Sequence, residues 1–109
     1  MINTLNALAE TNRLHIVELL RKGPLSVNEI VENLGLSQPL VSKHLRVLSQ
    51  AGLVKVRPSA QQRIYELEAR PFVELNSWLE TYRRIWDMRL DNLDAYLQEL
   101  EETQRRDPS

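Results

Sequence analysis

SQPLVSKHLRVLSQAGLVKV, Ser37 to Val56, changes its periodicity once, and that change decides the fold. As far as Gln50 the apolar residues Leu40, Val41, Leu45 and Leu48 recur at helical spacing. Ser37 is placed as the N-cap of this helix, and Pro39 sits in its first turn, where a missing backbone donor costs nothing. Gly52 is placed to close it. Beyond the glycine, LVKVRP alternates Val54 and Val56 with Lys55 and Arg57, the period of a strand. The helix also carries Gln38, Ser42, Lys43, His44 and Arg46, a polar set that either faces water or touches something.

Working outward, SVNEIVENLG precedes this helix with Ser26 three residues before Glu29, the spacing of a capping box. Val27, Ile30, Val31 and Leu34 continue the helical row, and Gly35 ends it. Upstream, NTLNALAETNRLHIVELLRKG predicts a short helix, a break at Thr11 and Asn12, and a longer helix ended by Gly23 and Pro24. Downstream, SAQQ joins the first strand to RIYEL, a second antiparallel strand. From Pro71 the helical period returns and no glycine or proline interrupts it before Pro108, which predicts one helix of about 45 Å. The final ETQRRDPS is expected to fray. The expectation is a mainly α chain with a small β-hairpin: one winged helix-turn-helix domain over residues 1–109. Its helix-turn-helix spans about 26–51, its wing about 54–67 and its long last helix about 71–104.

The total charge is nearly balanced, with 14 basic against 15 acidic residues, but the signs are segregated. Residues 37–70 carry six basic and two acidic residues, whereas residues 71–109 carry five basic and nine acidic. A basic middle beside an acidic end suits a molecule that turns one face to a polyanion and keeps the other away. There is no cysteine, which excludes disulfides and thiolate metal sites. No segment approaches the run of roughly 18–20 apolar residues that a membrane span needs, and the N-terminus lacks the pattern of a secretory signal, so a cytoplasmic location is expected. Neither a thiol nor a glycine-rich phosphate loop is present, and no serine has an evident histidine and acid partner, so the chain is not expected to be an enzyme.

In a helix-turn-helix, the N-terminal residues of the second helix enter the major groove of double-stranded DNA. Gln38, Ser42, Lys43 and Arg46 are the residues available there. Glutamine pairs bidentately with adenine, lysine donates to guanine, and arginine takes a base or a phosphate. Backbone donors at Ser37 and Gln38 can hold a phosphate. The hairpin adds Lys55, Arg57, Gln61, Gln62 and Arg63 for phosphate or minor-groove contact, with Arg57, Gln62 and Arg63 the main wing candidates. His44 and His15 are read as residues packed or hydrogen-bonded locally.

SQPLVSKHLRVLSQAGLV, the upstream LAETNRLHIVELL and the hairpin ending RIYEL together resemble the ArsR family of bacterial winged-helix repressors. PFVELNSWLETYRRIWDMRLDNLDAYL further resembles the last helix of the branch often encoded beside START-like proteins of the Hsp90-activator type. The resemblance implies a homodimeric, DNA-binding transcriptional repressor, commonly acting on its own operon and released by an inducer. The family's metal sensors place cysteines in the first helix of the turn unit, where this chain has Ser26 and Asn28. Other members use Asp, Glu and His on the last helix, and here that helix has no histidine. Neither a metal nor a cofactor is therefore expected, and an inducer is not identified.

Trp78, Tyr82 and Trp86 recur every four residues within a stripe that continues through Leu79, Leu90, Leu93 and Leu97. A stripe of that length exceeds what so small a body can cover. A second copy of the chain is the economical partner, together with the first helix around Leu5 and Leu8. Interleaved Arg83, Arg84 and Arg89 make Asp87, Asp91 and Asp94 a salt-bridged surface rather than a metal site. Two other readings remain at this point: a winged helix serving as a protein-interaction module, and a repressor released by a small apolar ligand at the aromatic stripe.

Overall fold

Capping chemistry sets the boundaries of the central helices. Ser26 accepts from the Glu29 N–H at 3.2 Å while the Glu29 carboxylate accepts from the Ser26 N–H at 3.0 Å, a closed capping box. The Ser37 hydroxyl accepts from the Leu40 N–H at 3.3 Å. In the computed structural model, which describes residues 1–106, the order is α1 (Ile2–Leu8), α2 (Thr11–Leu20), β1 (Leu25–Ser26), α3 (Val27–Leu34), α4 (Gln38–Gln50), β2 (Val54–Ser59), β3 (Gln62–Leu67) and α5 (Ala69–Arg106). Helices α3 and α4 with their tight turn form the helix-turn-helix, and β2 and β3 form the wing.

Gly35 makes that turn. It ends α3 in the left-handed region at φ 67°, and its N–H donates to the Val31 carbonyl at 2.9 Å. A Cβ added there meets nothing within 4 Å, so Gly35→Ala isolates the backbone strain of an L-residue in this conformation. The expected loss is about 1 kcal/mol, seen as a fall in thermal midpoint of roughly 4–8 °C for a domain of this size.

The hairpin runs in register from Val54 opposite Leu67 to Ser59 opposite Gln62, leaving Ala60 and Gln61 as a two-residue turn with Ala60 at φ 55°. Strand β1 adds to the other side of β3, with Leu25 opposite Tyr65 and Ser26 opposite Ile64, so the sheet order is β1-β3-β2. The core joins Ile16, Val17 and Leu20 of α2, Ile30 of α3, and Val41, Leu45 and Leu48 of α4 to Leu53 and Val54 at the root of the wing. Six of these side chains, Ile16, Ile30, Val41, Leu45, Leu48 and Leu53, have no exposure. Burying a side chain of this kind contributes about 1.5–3 kcal/mol, which is what holds α4 against the body.

The chain divides into two compact units, Met1–Leu75 and the part of α5 from Asn76 onward. In the first, Phe72 on the opening turns of α5 packs against the core. In the second, every residue of α5 from 81 to 105 is exposed, Trp86, Leu90, Leu93 and Leu97 among them. Among the described residues no helix is long and apolar enough to cross a membrane.

Four boundaries differ from the sequence reading. The break in the first helical segment falls at Ala9 and Glu10, not at Thr11 and Asn12, because the Glu10 carboxylate serves as N-cap and accepts from the Arg13 N–H at 2.8 Å. Strand β1 was not anticipated, since two residues carry no period. Helix α5 begins two residues before Pro71, which is tolerated in its first turn. It also runs to Arg106, so residues 102–106 are helical rather than frayed; Asp107–Ser109 lie outside the described residues.

Candidate nucleic-acid interface

Helix α4 separates into two faces. Val41, Leu45 and Leu48, spaced by four and three residues, are buried, and His44 joins them at 7% exposure. Gln38, Ser42 and Arg46, spaced by four, form an exposed row on the other side, with Lys43 exposed beside it and Ser37 exposed at the cap. The burial of the first face fixes the direction of the second.

A cleft of about 570 Å³ lies between this row and the wing. Gln38, Ser42, Arg46, Ser49 and Gln50 line it from α4, Gln61, Gln62 and Arg63 from the hairpin tip, and Asn28 from the first turn of α3. The fold thus brings together Gln38, Ser42, Arg46, Gln62 and Arg63 of the sequence candidates. Ser37, Lys43 and Arg57 are exposed and lie outside the cleft lining. Asn28, Ser49 and Gln50 were missed by sequence reasoning. The last two continue the row of Ser42 and Arg46 at helical spacing, and that signal was available; Asn28 arrives only through the packing of α3 on α4.

The cations divide by their neighbours. The Lys55 ammonium lies 3.6 Å from Glu66 and 3.3 Å from Glu68, and its hydrogen bond to Glu68, with the charge of both carboxylates, holds its pKa above the ordinary lysine value. Its charge is answered by Glu66 of β3 and by Glu68 just after it, which sets it apart from the cations free to meet a phosphate. Lys43, Arg46, Arg57 and Arg63 have no carboxylate within ion-pairing distance among the described residues, and their charge is directed to solvent. Polar cleft walls with unanswered positive charge match a polyanion that presents hydrogen-bonding edges.

His44 faces Glu10, the N-cap of α2, with Nδ1 3.7 Å from Oε2; that nitrogen is shielded from solvent and makes no hydrogen bond. It is the packed histidine expected from the sequence, whereas His15 is exposed on α2. Hydrogen bonding from the Arg13 N–H lowers the Glu10 pKa from its ordinary value of 4.5, with the Asn12 N–H, His44 and Arg13 adding in the same direction and partial burial opposing. A carboxyl whose folded-state pKa is depressed contributes stability above its unfolded pKa and loses it as pH falls through the folded value. The stability gap between the native chain and Glu10→Gln should therefore be full at neutral pH and shrink as pH is lowered below about 5. Urea midpoints at a series of pH values check this; a gap constant down to about pH 3 contradicts it.

The dimer candidates are placed as follows. Leu5 on α1 is exposed, while Leu8 is half-buried and packs against the core of its own chain. Trp78, Leu79, Tyr82, Trp86, Leu90, Leu93 and Leu97 on α5 are all exposed, between 38% and 58%. Trp78 and Tyr82 meet edge to face, with centroids 5.1 Å apart.

Residues 10–56 match the family described as "Bacterial regulatory protein, arsR family". The HTH-type transcriptional regulator Rv2034 of Mycobacterium tuberculosis is 42% identical over 77% of this chain and 76% of its own length. The transcriptional activator HlyU of Vibrio cholerae is 37% identical over 75% of this chain and 73% of its own. Its solved structure, at 35% identity, covers 78% of this chain and 89% of that one with a TM-score of 0.63. A solution structure from Mycobacterium bovis, described as a homodimeric winged helix-turn-helix DNA-binding domain, is similar over 75% of this chain and 76% of that one, at 26% identity and a TM-score of 0.64. The match spans the helix-turn-helix and the start of the wing, and so takes in the α3 and α4 wall of the cleft but not Gln61, Gln62 and Arg63 at the hairpin tip; the chain belongs to the arsR family of bacterial regulatory proteins.

Proposed function

We propose that the chain is a cytoplasmic, homodimeric transcriptional repressor that binds an imperfect palindromic operator in double-stranded DNA. Gln38, Ser42 and Arg46 face the major groove from α4, Lys43 and the Ser37 cap meet its phosphates, and Arg57, Gln62 and Arg63 reach the flanking backbone or minor groove from the wing. The observation that carries the reading is the row of Gln38, Ser42 and Arg46 facing Arg63 across one cleft, with no carboxylate among the described residues answering Arg46 or Arg63. Dimerisation through the exposed stripe of α5 and the α1 face around Leu5 sets two such helices for successive major grooves, about 34 Å apart on one face of the duplex. The similar structure from Mycobacterium bovis, described as homodimeric, supports this arrangement.

Fluorescence anisotropy against the DNA upstream of the chain's own gene, with an unrelated duplex as control and a salt series, tests the reading. Tight binding to the upstream DNA is expected, with log affinity falling by about 0.9 per unit of log salt for each phosphate contacted. In vitro transcription from the same DNA should decline as protein is added. Absence of binding to either duplex at low salt overturns the DNA reading and leaves the winged helix as a protein-interaction module. Increased transcription would keep DNA binding and reverse the sign of regulation, as in the relative named an activator.

A further inference from the structure

Helix α5 carries a seam with a strict repeat. Leu79, Trp86, Leu93 and Leu100 stand at one position of a seven-residue repeat, and Tyr82, Arg89 and Tyr96 at the other, so the intervals alternate between three and four residues. All of these are exposed along the helix. One member is a cation: Arg89 stands in the middle of the seam, its guanidinium 5.6 Å from the centroid of the Trp86 ring. Arg83 on the same helix is paired with Glu80 at 2.7 Å, whereas Arg89 has no ion pair among the described residues.

A cation at a seam position constrains what can cover the seam. Parallel pairing in register would set Arg89 against its own copy, two like charges in a desolvated layer. Antiparallel pairing offers alternatives that differ by one heptad. Two of them lay Arg89 on the partner's Leu79 or Leu93, which give a cation nothing. The one between lays Leu79 on the partner's Tyr96, Tyr82 on the partner's Leu93, and Arg89 on the partner's Trp86. Indole is the best aromatic face for a guanidinium, and the two-fold axis makes the contact twice.

Resting on the dimer reading above, we propose that Arg89 fixes the orientation and register of the α5 pair, the occupant of the seam being a second copy of the chain with each guanidinium seated on the partner's Trp86. The residue is a specificity determinant of self-association: it makes the correct pairing favourable and the parallel one repulsive. An all-apolar seam would lack this discrimination.

The full chain has no cysteine, so engineered thiols report alone. Leu79→Cys and Tyr96→Cys are purified separately, mixed so that subunits exchange, and oxidised gently with a glutathione buffer; covalent dimers are read on non-reducing gels. Cross-linking is expected in the mixture and in neither variant alone, because 17 residues of helix separate each cysteine from its own copy in this register. Placing Arg89→Leu in both backgrounds should lower the yield of the mixed cross-link relative to Leu79→Cys self-cross-linking by roughly tenfold while the dimer persists in sedimentation. Self-cross-linking of Leu79→Cys with Arg89 present overturns the proposal. So does a mixture that stays uncross-linked although sedimentation shows a dimer, and so does a yield ratio unmoved by Arg89→Leu. A monomer in sedimentation at all concentrations removes the dimer reading itself, and with it this one.

Discussion

Lys43→Ala combined with Arg46→Ala should reduce affinity for the operator by at least about a hundredfold, to the level measured for an unrelated duplex. Both side chains are exposed on α4, opposite the buried row of Val41, Leu45 and Leu48, and neither has a carboxylate partner among the described residues. Losing a base contact costs about 1–3 kcal/mol of discrimination, and losing a phosphate contact lowers affinity for every sequence and reduces the salt slope by about one. Arg46 lines the cleft and is placed for the first role; Lys43 lies outside the lining and suits the second. The single variants should separate accordingly: Arg46→Ala should flatten the preference for operator over control, and Lys43→Ala should weaken both in parallel. Lys55→Ala is the control that tests the electrostatic reasoning. Its charge is already answered by Glu66 and Glu68, so the salt slope should hold, although net basicity falls by the same unit as in Lys43→Ala. Equal slopes for the two lysine variants would show that overall charge, not the α4 face, carries the binding. Unchanged circular dichroism distinguishes any of these losses from unfolding.

The contrast between Lys43 and Lys55 also shows where sequence reading stops. Signals confined to a few neighbouring residues were legible: the Ser26 and Glu29 box, Ser37 with Pro39, the left-handed Gly35 and the change from helical to alternating period after Gly52. These are satisfied by atoms three or four residues apart, so they read the same in the chain and in the fold. Lys55 looked as available as Arg57 because its neutralisation depends on the strand register that sets it opposite Glu66. Asn28 joins the cleft through packing of α3 on α4, and strand β1 exists only because β3 offers Leu25 and Ser26 a ladder. The break before α2 was placed two residues late for a related reason. Thr11 and Asn12 look like turn residues in isolation, while the cap that ends the break is a glutamate whose carboxylate meets the Arg13 N–H and then the recognition helix through His44.

Leu45→Ala is expected to give the largest loss of stability from a single core truncation on α4. Leu45 has no exposure and belongs to the buried cluster that joins Ile16 of α2, Ile30 of α3 and Leu48 of α4. Truncation removes the transfer free energy of the deleted atoms and leaves a cavity that the cluster cannot close without moving, about 2–5 kcal/mol in all. Domains of this kind hold about 5–15 kcal/mol, so the variant should unfold at a markedly lower urea midpoint with the slope of the transition unchanged. Leu14→Ala, at a side chain 43% exposed, is the comparison and should cost well under half as much. Protomer concentration must be held fixed, because stability and dimerisation are linked. The same substitution addresses function, since Leu45 is the residue before Arg46 and its packing fixes the height of the polar row above the body. Under conditions where Leu45→Ala remains folded, operator affinity should fall further than the folded fraction accounts for, while affinity for unrelated DNA should follow the folded fraction alone. Equal losses on both duplexes would mean that the cleft tolerates a shifted α4, and that the buried face sets stability without setting recognition.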